Sequence, residues 1–457
     1  MKKLLLSLSL VAVASTINAQ WTAQGTGFSA ASRGLSEIRI VDANTVWALA
    51  YDGGAPVPPA TTGANIQEFT QTTSAGASWS SGIIDVSDPT KKITNISPVS
   101  ATTAWAGAVD SANGGGGVFK TSNSGGAWTA QNATAYTTVG TLASYFDFVH
   151  FFDANIGITV GDPIGAGVGE FEVYRTINGG TTWTAVAAAS LPNPLTGEYG
   201  YTGGYVASGD SMWFTTNKGR LYRTIDKGIT WNAYQAPLSD FGAALPANNG
   251  TVDFSSPSNG CLLKTSGTTA SPVYTFYTTS NGGQTWSAGT PFSGTRRILT
   301  YVPGTTTIVA TSQSAPVGTS VSSDNGTTWT DLEPTGTTQR GASAFLNATT
   351  GWCAGFSGTD PLTGGIFKLT GTLANQSFAT TKFSIYPNPA SSNITIAAPQ
   401  TVSDYKLKVT DLTGKVISSN DFNGIENTLD ISSFAKGLYF FEINSGIKTE
   451  TIKILKN

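Results

Sequence analysis

The side chains best placed to do chemistry are basic, and they recur at one kind of position. Arg33, Lys91, Lys92, Arg296, Arg297 and Arg340 each stand just before a run of strand-forming residues. Only 12% of the 457 residues are charged and only 25 are Lys or Arg, so six cations at equivalent positions form a concentration. Gathered around a concave opening, guanidinium forks and ammonium groups suit a carboxylate, sulfate or phosphate. The expected binding residues are therefore these six. The expected ligand is an anionic group of an acidic sugar, lipopolysaccharide or acidic peptide. Equivalent positions elsewhere hold Asp147, Tyr201 and Asp253.

No catalytic constellation accompanies them. The single His, His150, lies in the aromatic run from Tyr145 to Phe152. Strict alternation there puts Asp147, Val149 and Phe151 on one face and His150 on the other, where a packed strand histidine is expected. One His and two Cys do not make a zinc site, and neither a metal nor a cofactor is expected. Gly-rich phosphate loops, H-E-x-x-H and G-x-S-x-G are missing from the sequence. A net charge of −3 argues against nucleic acid or an anionic membrane as bulk partner. Cys261 and Cys353 fall in non-adjacent repeat units and are expected as buried free thiols.

The elements that carry these residues follow from a repeat. The segment from Thr224 to Trp231 has close copies beginning at Thr72, Thr121, Thr176, Thr279 and Ser322. Their tryptophans are Trp79, Trp128, Trp183, Trp231, Trp286 and Trp329, spaced 43–55 residues apart. Such a period, with several strands per unit, points to propeller blades. Asp226, Asn178 or Asn281 can accept turn amides, and Gly228 supplies a positive φ. The motif resembles the Asp box, S/T-x-D-x-G-x-T-W, of BNR-repeat propellers. That family includes sialidases, sortilin-type receptors, some glucanases and a photosystem II assembly factor. The resemblance implies a fold and little about activity. Ser74 replaces the acid in the first copy, and Asn123 with Ala127 weakens the second. The sialidase F/Y-R-I-P motif is missing, and the two-propeller cleft of the glucanases has no counterpart here.

Turns leading into apolar strands recur seven times, at residues 42–44, 100–102, 153–155, 208–210, 257–259, 303–305 and 347–349. The expected fold is all-β: a seven-bladed propeller over 20–371. Trp21-Thr22-Ala23-Gln24 repeats Trp128-Thr129-Ala130-Gln131, the strand after a box, so the N-terminal segment is expected to complete the last blade. Variable length falls on one face, at 52–66, 131–144, 162–170, 190–200 and 267–272, and that face is where a ligand is expected.

Residues 1–19 read as a signal peptide, with Lys2 and Lys3 before the apolar stretch Leu4 to Ala14. No segment reads as a transmembrane span. After a polar linker at 372–379, residues 380–457 alternate as a small Ig-like β-sandwich. Its Tyr386-Pro387-Asn388-Pro389 opening, Asp411-to-Lys415 turn and Lys436-Gly437-Leu438-Tyr439 strand resemble the type A sorting domain of the type IX secretion system. The resemblance implies the type IX machinery as partner and a secreted or outer-surface location. The expected function is a non-enzymatic binding module for a glycan, lipopolysaccharide or protein. The alternative is a glycoside hydrolase of the sialidase or glucanase kind.

Overall fold

The computed structural model describes residues 20–53, 66–131, 136, 144–164, 169–246, 248–333, 338–357, 364–373, 383–398, 402, 404–424, 426–445 and 449–457. The expected signal peptide and residues 374–379 of the expected linker lie outside them, as do 54–65, 132–135, 137–143 and 165–168 of the long loops. The chain divides into a body, Asn18–Leu373, and a tail, Ala374–Asn457.

Among its described residues the body forms seven four-stranded antiparallel sheets. Their innermost strands are Arg33–Ile40, Lys92–Pro98, Phe146–Phe151, Gly200–Ser208, Asn249–Phe254, Ile298–Tyr301 and Ser343–Asn347. Each packs against the next, and the seventh packs against the first, which makes the body a closed β-propeller. The second strands are largely buried, as in Val46–Asp52, Ala104–Val109 and Ser211–Thr216. Burying both faces of these strands between neighbouring sheets provides the core. The N-terminal strand Gln20–Gln24 pairs with Ile366–Thr370, Trp21 opposite Leu369, and so supplies the outer strand of the seventh sheet.

The boxes work as the turn chemistry requires. The Asp226 carboxylate accepts from the Ile229 and Thr230 amides at 3.0 and 2.9 Å and from the Thr230 hydroxyl at 2.6 Å. Gly228 sits at φ 83°, where a Cβ would also strike Ile158 of the preceding blade. A second device links blades. In four blades a third-strand cation donates to the box or an adjoining turn of the next blade: Lys120 to Gly179, Arg175 to Lys227, Arg223 to Asn281 and Lys368 to Ala75. Free Cys261 and Cys353 are buried in second strands, and burial pushes the Cys353 thiol up to about 12.

In the tail, a three-stranded and a four-stranded sheet share one core, with Ile394, Ile396, Leu407, Val409, Phe441 and Ile443 at its centre. Among the described residues no helix is long and apolar enough to cross a membrane.

Candidate functional site

All six expected cations stand at or next to the starts of innermost strands, on the face where the blades receive the chain. Their side chains do not form a free crescent. Arg33 donates to both Glu68 oxygens at 2.9 and 3.1 Å and pairs with Asp52 at 3.1 Å. Arg296, 2% exposed, pairs with Asp331 at 2.6 Å and donates twice to the Val317 carbonyl. Arg340, 3% exposed, reaches Glu333 at 2.7 Å and stacks over Phe367. Arg297 lies 3.9 Å from the Tyr274 ring centroid and donates to the Gly294 carbonyl. Lys91 pairs loosely with Asp88 at 4.0 Å, and Lys92 is exposed. A buried guanidinium needs a carboxylate partner, so Arg33, Arg296 and Arg340 are committed to Glu68, Asp331 and Glu333.

The channel holds a different polar set. Glu37 accepts from the Ile96 amide at 2.9 Å, Asn95 exchanges bonds with Val149 at 2.7 and 3.0 Å, and Asp253 accepts from the Tyr301 amide at 2.6 Å. Each of these side chains ties its innermost strand to the next one. Arg39 lies 4.7 Å over the Tyr205 ring and pairs with Glu37 at 2.5 Å. His150 packs edge-on against Phe152 and Tyr205. Burial and then the Arg39 charge push it down to about 3, so it stays neutral and is unsuited to proton transfer near pH 7.

One expectation on this strand fails for a structural reason. A bulge between Phe146 and Phe148 breaks the alternation. Val149 and Phe151 pack with Phe146 toward the second blade, whereas Asp147 is turned to Gly200 of the fourth. The Asp147 carboxyl is 2% exposed, and its Oδ2 has no hydrogen-bond partner. Asp162, at the end of the neighbouring strand, accepts from the Gly200 amide at 2.7 Å. Burial raises both carboxyls, Asp162 to about 7, and the Asp162 charge raises Asp147 further. Asp147 is buried and Asp162 half-buried beside it.

One open feature among the described residues is a groove of about 260 Å³ between the fourth and fifth blades. Tyr201, Tyr205 and Phe241 line it with Gly203, Gly204 and Thr251. The Tyr201 hydroxyl donates to Asp240, and its ring meets that of Tyr199, 44% exposed, edge-on at 5.7 Å. Below it, Glu198 is fully buried and binds Arg220 through Nε at 2.9 Å and Thr216 at 2.7 Å, fixing the 190–200 connection to the fourth blade. The Gly267–Pro272 segment, expected as a loop, is instead the tip of a hairpin whose nine-residue strands pair through to Thr268 and Ser271. Sequence reasoning missed Tyr199, Phe241 and Asp240. The aromatic and glycine content of 199–204 was the available signal.

Fold and tail together define a secreted β-propeller. Residues 384–457 match the family described as a secretion system C-terminal sorting domain, which marks the chain for secretion and the cell surface. No curated protein matches. Among solved structures, YCF48 bound to D1 peptide is similar at 12% identity, over 77% of this chain and 97% of that one, with a TM-score of 0.49. YCF48 from Cyanidioschyzon merolae is similar at 14% identity, over 76% and 98%, with a TM-score of 0.48. A GH74 xyloglucanase from Xanthomonas campestris is similar at 12% identity, over 92% and 69%, with a TM-score of 0.30.

Proposed function

We propose that the body is a non-enzymatic binding module displayed at the cell surface, and that its ligand is a largely uncharged glycan chain held in the groove between the fourth and fifth blades. The observation that carries this reading is the Tyr199–Tyr201 pair beside a glycine-floored groove, with Asp240 and Thr251 at hand for hydroxyls. Pyranose C–H faces stack on aromatic rings, and a few placed polar groups orient them. The commitment of Arg33, Arg296 and Arg340 to Glu68, Asp331 and Glu333 favours this over an anionic ligand. The sealing of Asp147 and the engagement of Asp240 by Tyr201 favour binding over hydrolysis.

A glycan array with the full secreted chain, followed by titration of the best ligand, tests it. Tyr201→Ala and Tyr199→Ala should each weaken binding by at least tenfold, and Arg297→Glu should leave it unchanged. Binding that ignores both tyrosines but collapses with salt would restore the anionic reading. Release of sugar from a bound glycan would make the protein a glycoside hydrolase.

A further inference from the structure

The box turns repeat a hydroxyl residue just after their first Thr or Ser, and two neighbouring blades break the pattern. Thr73, Ser122, Ser280 and Ser323 hold that position in the first, second, fifth and sixth blades, whereas the third and fourth have Ile177 and Ile225. These two side chains are 67% and 60% exposed, and Ile229 in the same fourth-blade turn is 52% exposed. The turn forms with a hydroxyl residue in four blades, so the exposed isoleucines serve something beyond it. Ile177 and Ile229 line a hollow of about 340 Å³ between the outer strand of the third blade, Thr184–Ala185, and the fourth-blade box turn. It shares no lining residue with the glycan groove. Arg175 lines it too. The Arg175 Nε donates to the Lys227 carbonyl at 2.9 Å, but among the described residues no carboxylate pairs with this guanidinium. The corresponding cations Lys120, Arg223 and Lys368 lie over Trp105, Trp213 and Trp352, whereas the cross-strand partner of Arg175 is Ile158, which offers no ring.

We propose that this hollow docks an extended segment of a partner protein that bears a branched aliphatic side chain and, two positions away, a carboxylate. The aliphatic group packs against Ile177 and Ile229, and the carboxylate takes the terminal donors of Arg175. A guanidinium fork with unpaired donors beside an apolar wall selects an anion that also carries apolar surface. A cationic or purely hydroxylic ligand gains less there. Thr184–Ala185 is exposed at the edge of its sheet, so its backbone can pair with an added strand while the hollow reads side chains. Side chains of an extended segment reach the same side at every second residue, which sets the spacing between acid and aliphatic group.

An array of hexapeptides that place Ile or Val two positions from Glu, with copies carrying Lys in place of Glu, tests this on the full chain. Fluorescence titration of the best binders gives the affinities. The wild type should hold the Glu peptides at least tenfold more tightly than the Lys copies, and Arg175→Gln should erase that preference. Ile177→Ser and Ile229→Thr should each weaken binding at least fivefold. Both variants should fold, because Ser280 and Thr327 occupy the same two positions in other blades. They keep the test decisive even if Arg175→Gln does not fold. Tyr201→Ala should bind the peptides as the wild type does, so failure of the glycan groove is distinct from failure here. Equal binding of Glu and Lys peptides by the wild type would overturn the proposal, as would full binding by Ile177→Ser. A dimer in sedimentation velocity that Ile177→Ser dissolves would also overturn it and assign the surface to a second copy of the chain.

Discussion

The guanidinium of Arg223 lies 5.7 Å from the ring centroid of Trp213, its cross-strand partner, and donates from there to Pro257 and Asn281 of the next blade. Lys120 does the same over Trp105 toward Gly179, and Lys368 over Trp352 toward Ala75. The indole screens the cation from above, and the carbonyls satisfy its donors. A cross-strand pair within one blade thus becomes a fastening between two.

Arg223→Ala should lower stability by about 1–3 kcal/mol, since hydrogen bonds to a charged group are lost and the Asn281 and Pro257 carbonyls are stripped of a donor. Trp213→Ala should cost about 3–5 kcal/mol through the cavity it leaves in a fully buried site. Denaturant unfolding of the two variants and their double mutant would measure the coupling. Strictly additive effects would mean that ring and guanidinium act independently.

One amide bridges two indoles across the closure of the ring. Gln24 Oε1 accepts from Trp79 Nε1 at 3.1 Å and Trp352 Nε1 at 3.3 Å, joining the first and seventh blades. Gln24→Ala should cost about 1–3 kcal/mol, mainly by orphaning the fully buried Trp352 donor. Gln24→Glu keeps an acceptor and should lose less. Equal melting temperatures for Gln24→Ala and the wild type would rule out this contribution.

Glu198 gives the fold an acid-sensitive joint. Burial pushes its carboxyl up, but bonds from Arg220, Thr216 and the Leu195 amide outweigh that and hold it below the ordinary glutamate value of 4.5. A folded pKa below the unfolded one adds stability that is present above the unfolded value and is lost as pH falls through the folded one. Glu198→Ala should therefore cost about 3–5 kcal/mol at neutral pH by stranding Arg220. Glu198→Gln should flatten the decline of stability in acid. Stability–pH curves of wild type and Glu198→Gln that run parallel below pH 4.5 would contradict the assignment.

Features set by neighbouring residues were legible in the sequence. Box turns depend on a glycine and a short acceptor a few positions apart, and the Trp21–Gln24 copy of a box strand announced its own pairing. The fate of the arginines was not legible. Their acids Glu68, Asp331 and Glu333 lie 35, 35 and 7 residues away, the first two on the third and outer strands of the same blades and the third beyond the outer strand of the preceding blade, so cations were visible and partners were not. The bulge at Asp147 likewise changes which face a side chain takes without altering composition. The groove was hidden because Tyr201 and Phe241 meet only when two blades stand side by side.

The strand that opens the body, Gln20–Gln24, finds its partner only in Ile366–Thr370, so the first residues of the body to emerge are the last to be paired. Until then the chain carries two complementary bare edges. Those edges can recognise each other equally well on two molecules. At high local concentration, such as refolding in a tube or crowding during export, the expected by-product is a strand-exchanged dimer in which each copy closes the other's ring.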